Sequence, residues 1–419
     1  MKTEKDKVAR CLTAIILLSL MLPAWLPAVP SFARKYKTSC VTCHYAFPKL
    51  NAFGRAFLNN GYRIPGGKEA RMRKEKPIKM GADAYKKLWP RALWPTDIPG
   101  ATPLSVHAVG RVHYFEAGKN SSFEIPHQLE TIFAGTFDQH FSFFAEVKFL
   151  NQNNVDYEFK FQYDFNSKFH LKMGTAGLEE VVPLDRRIAP LKYNLSGIQN
   201  RSGTWDLTKG AGGGIELWGA GNGPHKSGGF TFALGLGNGQ INRNNLDTNN
   251  HKDFYGRFTY KFGGVGEAGG IPPGWHSNVN YYTDNSLRLG GFFYSGSASD
   301  SLGRDNFHLF GADLDAWWYR INLFAELMWF NSDYGNIDWQ TRAGFIETNI
   351  LVFPWLFLRT RYEQTDMDSQ DARSPDRFLL PSVVALVRAN VKGSVEYKLP
   401  LNHQSENDGH FVFQFDFAF

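Results

Sequence analysis

Phe411-Val412-Phe413-Gln414-Phe415-Asp416-Phe417-Ala418-Phe419 ends the chain, and its reading decides the fold. The five phenylalanines recur every second residue. In an extended strand they share one face, with Val412, Gln414, Asp416 and Ala418 on the other. Aromatic groups on one side and polar groups opposite are what a barrel strand needs between lipid and lumen. A terminal aromatic residue is also how outer-membrane barrels usually end, the last strand serving as their assembly signal.

The same two-residue period recurs upstream. Val155, Tyr157, Phe159, Phe161 and Tyr163 alternate with Asp156, Glu158, Lys160, Gln162 and Asp164. Phe141, Phe143, Ala145, Val147 and Phe149 alternate with a set that includes Glu146 and Lys148, and Leu356, Leu358, Thr360 and Tyr362 alternate with Phe357, Arg359, Arg361 and Glu363. Further candidate strands lie near 104–117, 128–138, 168–175, 213–220, 228–238, 253–263, 286–295, 305–318, 320–331, 341–353, 379–391 and 392–399. Together they make about sixteen, an even number in the range of single-chain membrane barrels.

Composition agrees. Aromatic residues reach 15%, with 36 phenylalanines and 41 glycines, while only 21% of residues are charged. A mean hydropathy of −0.34 is no obstacle, because lumen-facing polar residues offset the lipid-facing ones. The net charge of +6 and the lack of any recognition motif exclude a nucleic-acid partner. A soluble sandwich or propeller would also use many aromatic faces. The runs of about ten residues, the terminal aromatic, the secretory leader and the absence of an internal repeat favour the membrane barrel.

The leader is read over residues 1–33. Lys2, Lys5, Lys7 and Arg10 precede an apolar stretch, and Ser31-Phe32-Ala33 offers small residues at a cleavage site. Removal would discard Cys11 and leave two cysteines. The expected division is a signal peptide over 1–33, a haem-bearing segment with a basic linker over 34–103, and a barrel over 104–419.

Those two cysteines stand in Cys40-Val41-Thr42-Cys43-His44, the C-x-x-C-H pattern of c-type haem attachment. Cysteines three apart can each form a thioether with one haem vinyl group, and the adjacent His44 can ligate the iron. A structural zinc site would need a second ligand pair, and a thioredoxin-like redox pair would need a βαβ setting; neither is present in the sequence. Beyond the motif, Leu50, Phe53, Phe57 and Leu58 share a helical face, with Pro48 placed to start the helix and Gly61 to cap it. That helix is expected to pack its apolar side on the haem. The basic stretch 68–79, with Arg71, Arg73, Lys74 and Lys76, reads as a solvated linker.

The runs Ser39-Cys40-Val41-Thr42-Cys43-His44, Phe47-Pro48-Lys49-Leu50-Asn51, Phe53-Gly54-Arg55-Ala56-Phe57 and Asn60-Gly61-Tyr62 resemble the N-terminus of fused monohaem cytochrome–porins, outer-membrane proteins of Fe(II)-oxidising bacteria. The detailed likeness covers about residues 38–65; beyond it the match is in length and barrel character. The resemblance implies one covalent haem c held by Cys40 and Cys43 with His44 as an axial ligand. It implies an all-β outer-membrane barrel of about sixteen antiparallel strands with a small N-terminal α-helical cytochrome plug. It also implies electron flow from an extracellular donor, Fe(II), to a periplasmic carrier such as a c-type cytochrome or a cupredoxin, with possible Fe(II) oxidase activity.

The sixth iron ligand is sought among residues that can reach the lumen. His107, Arg111 and His113 share a face of the first expected strand, opposite Val106, Ala108, Gly110, Val112 and Tyr114. Either histidine can serve as ligand and Arg111 can meet a haem propionate; Met72 and Met80 are the alternatives. Two function classes follow. One is an electron conduit across the outer membrane, running inward from Fe(II) or outward to an external acceptor. The other is a porin whose haem is a redox sensor or a structural element.

Overall fold

Sixteen antiparallel strands close into a ring in the computed structural model, which describes residues 30–66, 69–76, 78–79, 87, 97–100, 102–151, 154–175, 188, 213–239, 247–273, 284–300, 303–334, 337–366, 375–402 and 409–419. Four short strands come first in the chain: β1 (His44–Ala46), β2 (Lys49–Leu50), β3 (Ile78–Lys79) and β4 (Asp97–Ile98). The barrel then runs β5 (Leu104–Phe115), β6 (Asn120–Phe137), β7 (Phe141–Asn151), β8 (Asn154–Asn166), β9 (Phe169–Thr175) and β10 (Gly213–Asn222). It continues through β11 (Ser227–Asn238), β12 (Lys252–Val265), β13 (Ser286–Asp300), β14 (Gly303–Trp318) and β15 (Ile321–Tyr334). Last come β16 (Ile337–Phe353), β17 (Leu356–Asp366), β18 (Asp376–Arg388), β19 (Val391–Pro400) and β20 (His410–Ala418). Each strand pairs with its sequence neighbours, and the seam closes where β20 meets β5, Phe413 opposite Val112 and Gln414 opposite Arg111. All sixteen expected strands are present. A closed ring leaves no unpaired edge, which a lipid environment requires.

The C-terminal strand is oriented as its sequence implies. Phe411, Phe413 and Phe417 are exposed on the outside, while Val412, Gln414 and Asp416 are buried inside. Leu289, Phe310, Leu327, Trp329, Ile346 and Leu358 continue the apolar exterior around the ring. Among the described residues no helix is long and apolar enough to cross a membrane, so the strands carry that surface.

The interior is not uniformly polar, contrary to the expectation of a polar lumen. On β16–β19 it is: Arg359 and Arg361 are buried, Arg359 bonding Glu347 at 2.8 Å and Arg361 bonding Glu363 at 2.9 Å. On β12–β16, however, Tyr255, Tyr294, Phe307, Phe330 and Phe345 all point inward into one buried apolar cluster. The rings of Tyr255, Tyr294, Phe307 and Phe330 follow one another across neighbouring strands at 6.0–6.1 Å.

The N-terminal segment lies against the inner wall. Helix α1 (Ser31–Tyr36) starts at the residues read as a cleavage site, whereas residues 1–29 of the expected leader lie outside those described. Ser31 N donates to Ser105 Oγ at 2.8 Å and Lys35 Nζ to Thr136 Oγ1 at 2.9 Å. Phe32 stacks on Tyr62 at 5.3 Å and meets Phe57 edge-on at 5.2 Å. Farther along, Tyr45 stacks on Trp317 of β14 at 4.3 Å, and Arg63 pairs with Asp164 of β8.

Helix α2 (Ala52–Asn59) begins later than the sequence suggests. Pro48 does not start it; the β1–β2 hairpin occupies 44–50, and Asn51 is the N-cap, its side chain accepting from Gly54 N at 2.9 Å. Gly61 does end it. Its φ of +64° is left-handed, Gly61 N donates to Leu58 O and Tyr62 N to Phe57 O, a Schellman closure. Asn59 Nδ2 then donates to Glu267 O at 2.8 Å, tying the helix end to the connection after β12. A one-turn helix α3 (Glu69–Met72) returns Glu69 to Lys35 and Tyr36.

Candidate haem site inside the barrel

Cys40–Thr42 forms a single 3-10 turn capped by Cys43, so the C-x-x-C run is folded tightly at the start of the hairpin. Asn51 holds it there. Its Nδ2 donates to the carbonyls of Val41 and Thr42, each at 3.1 Å, and its own N donates to Cys43 O at 2.9 Å. Gly54 passes so close beneath that a Cβ there would sit 2.0 Å from Cys43 O. Neither cysteine is in a disulfide. Burial pushes the Cys40 thiol up, and burial together with neighbouring Cys40 pushes Cys43 up to about 12.

His44 follows directly, on β1. Its Nδ1 lies 3.1 Å from Pro48 O. A backbone carbonyl can only accept, so Nδ1 carries the proton and Nε2 is the basic nitrogen. Metal-ligating histidines are oriented by this kind of contact.

Cys40, Cys43 and His44 line one cavity of about 680 Å³, together with Leu50, Phe53, Phe57 and Leu58 from the N-terminal segment and His107, Arg111, Lys148, Lys160 and Lys172 from the wall. The four apolar residues expected to face a haem thus line the same cavity as the two cysteines. The wall supplies cations beside carboxylates: Lys148 is 2.8 Å from Glu146, Lys172 is 2.7 Å from Glu216, and Lys160 pairs with Glu158. Arg111 Nε donates to Gln414 Oε1 at 2.6 Å. A flat apolar group with two carboxylates, tethered to the cysteines, suits these surroundings, so the residues present fit a c-type haem.

The two sixth-ligand candidates part company here. His107 is 7% exposed and lines the cavity. Its Nδ1 is 2.5 Å from Glu130 Oε1, while its Nε2 is buried without a hydrogen-bond partner among the described residues. His113, six residues along β5, does not line the cavity. Its Nδ1 is 2.9 Å from His410 Nε2 and its Nε2 is 3.0 Å from Glu124 Oε2, so both ring nitrogens are engaged. Met72 is 43% exposed and lies away from the cavity, and Met80 falls outside the described residues. Among the described residues no three histidine, cysteine or carboxylate side chains converge as a metal centre.

Glu130 was not among the residues singled out from sequence, and Asn51 entered only within the run Phe47–Asn51, with no role of its own. Asn51 carried a signal, as a helix-capping residue ahead of an apolar run. Glu130 carried none, because its pairing with His107 appears only once β5 and β6 are in register.

No family model and no curated protein matches the chain. Solved structures do. An anion-selective porin from Comamonas acidovorans is 10% identical with a TM-score of 0.52, over 75% of this chain and 98% of that one. OmpT of Vibrio cholerae, folded in vitro and in its trimer form, is 10% identical with a TM-score of 0.50, again over 75% of this chain and 98% of that one. The fold is that of a porin barrel. Its apolar exterior and closed ring make this porin-fold barrel a protein of the bacterial outer membrane. The candidate site then occupies the inner wall of the porin fold, near the end where the barrel's first strand begins and its last strand finishes.

Proposed function

We propose that this chain is an outer-membrane cytochrome, a porin-fold barrel carrying one covalent haem c that passes electrons between the cell exterior and a periplasmic carrier. One observation carries the reading: Cys40, Cys43 and His44 open together onto a cavity whose other wall is the inside of the barrel. A bound haem c supplies a one-electron iron couple. Around it the chain's own residues act as holders. Cys40 and Cys43 fix the group covalently, His44 presents Nε2, and Arg111 with the wall lysines faces its carboxylates. Leu50, Phe53, Phe57 and Leu58 keep the surroundings apolar, which sets the potential as well as the fit.

Membrane barrels turn short connections to the periplasm and longer loops to the outside. At the end that holds the barrel's termini, connections 138–140, 167–168, 223–226, 319–320, 354–355 and 389–390 are short and only 266–285 is long, whereas the opposite end carries the long connections 176–212, 239–251, 367–375 and 401–409. That end is therefore periplasmic. His107 is the fourth residue of β5, about 10 Å from its start at roughly 3.3 Å per residue, so the haem sits within reach of a soluble carrier such as a c-type cytochrome or a cupredoxin. An extracellular donor approaches from the opposite mouth. Likeness of residues 38–65 to the fused cytochrome–porins favours Fe(II) as that donor and an iron:cytochrome oxidoreductase role.

The deciding experiment is anaerobic stopped-flow mixing of purified protein with Fe(II), after a pyridine-haemochrome assay shows one haem per chain. Reduction of the haem band is expected. Its failure with Fe(II), but success with another external reductant, removes the donor and leaves the conduit.

The porin fold favours one other reading, a channel whose haem senses redox state or braces the segment. Planar-bilayer recording separates the two: a solute channel passes ions readily at neutral pH, and a sealed conduit does not.

A further inference from the structure

We infer that His107 is the second axial ligand of the haem and that Glu130 is the residue that positions it; this deepens the proposed haem reading and rests on it. A buried polar atom left without a partner costs about 1–3 kcal/mol, and such an atom in a well-packed wall calls for a reason. His107 Nε2 is such an atom, buried in the cavity that Cys40, Cys43 and His44 also line. An iron atom would supply the missing partner.

The imidazole is already set for that task. Glu130 Oε1 lies 2.5 Å from His107 Nδ1. The carboxylate accepts there, so the proton resides on Nδ1 and the Nε2 lone pair faces the cavity. Gln128 Nε2 donates to the other oxygen, Glu130 Oε2, and so braces the carboxylate. A carboxylate–histidine–metal relay of this form fixes the ring and makes it a stronger donor. The Phe47 ring lies 5.4 Å from that of His44 and 4.9 Å from that of His107, so one aromatic side chain touches both imidazoles.

No other described histidine offers the same combination. His170 is buried, but Asp164 holds its Nδ1 at 2.6 Å and Asn59 O faces its Nε2 at 3.1 Å. His127 Nδ1 is held 2.8 Å from Glu124 Oε2, and the residue does not line the cavity.

The test uses full-length holoprotein refolded or extracted in detergent, with heat-modifiable gel mobility as the check on the barrel. Wild type should show a low-spin, six-coordinate haem that binds carbon monoxide poorly. H107A should become high-spin, bind carbon monoxide readily and return to low spin on adding imidazole, while H113A stays like wild type. E130Q should remain low-spin, with a more positive reduction potential and a higher carbon monoxide affinity than wild type, because the His107 imidazole loses the carboxylate that makes it a stronger donor. A low-spin spectrum in H107A without added imidazole overturns the assignment. An unchanged potential in E130Q overturns the role of Glu130. If H107A does not give a heat-modifiable barrel, H107M decides: a raised potential supports the assignment, and a wild-type potential overturns it. Wild-type protein without haemochrome absorbance fails at the earlier step and removes the haem reading itself.

Discussion

Gly54 shows how much of the site depends on single atoms. Its backbone lies so close to Cys43 that a Cβ would stand 2.0 Å from a carbonyl oxygen, which cannot swing aside as a side-chain tip can. G54A should therefore displace the C-x-x-C turn, destabilise the segment by about 1–3 kcal/mol as overpacking does, and lower haem content per chain in the haemochrome assay. N51A should act on the same turn, at about 1 kcal/mol for the lost cap. Glu69 gives a pH-dependent counterpart. Burial would raise its pKa, but the charge and hydrogen bond of Lys35, with help from Ile64 N and Tyr36 OH, hold it below the ordinary value of 4.5. A depressed carboxylate contributes stability above its unfolded value and loses it as pH falls through the folded one. Hydrogen exchange in α1 and α3, corrected for intrinsic rates, should thus accelerate below about pH 4.5, and E69Q should abolish that step. At this scale the sequence was informative where chemistry is local. Cys40, Cys43 and His44 announce themselves by spacing, whereas His107 and Glu130 are 23 positions apart and meet only through strand register.

Among the elements, β20 was the most legible, because one face is wholly aromatic and the other carries Gln414 and Asp416. A charge placed on its lipid face should cost about 2–4 kcal/mol near mid-membrane. F413R should accordingly lose heat-modifiable folding or unfold at lower urea, while F413W should fold normally. β6 was the least legible at its start, which the alternation put at 128 and the structure puts at Asn120. Pro126 interrupts the run, and proline within a strand pattern argues against a strand. The structure absorbs it at an irregularity in the β5–β6 register between Val109 and Arg111. Helix α2 was foreseen in type and in its glycine closure but not in its beginning. Proline at N1 and asparagine at the N-cap are both ordinary starts, and only the hairpin at 44–50 decides between them.

At the scale of the whole molecule, strand number and closure followed from counting periods, but the filling of the ring did not. Alternation predicts a polar interior, and it fails where both faces are apolar, as at Phe292 and Phe293, Leu309 and Phe310, or Met328 and Trp329. In each pair one residue is buried within the apolar cluster. With that cluster on β12–β16 and the N-terminal segment touching the wall at β5, β6, β8, β14 and β19, ion flow should be far below that of an open porin. Planar-bilayer conductance checks this, and a variant lacking residues 38–66 should conduct several-fold more. A steady, porin-like current from the full chain would refute the sealed interior. The seam has a consequence for biogenesis. Arg34 bonds Thr102 O and Leu104 O beside the first barrel strand, and Lys392 bonds Phe47 O from the next-to-last. The first and final hairpins therefore grip the same guest. If the proposed haem is attached at Cys40 and Cys43, its attachment is expected to come before these two hairpins close on the segment.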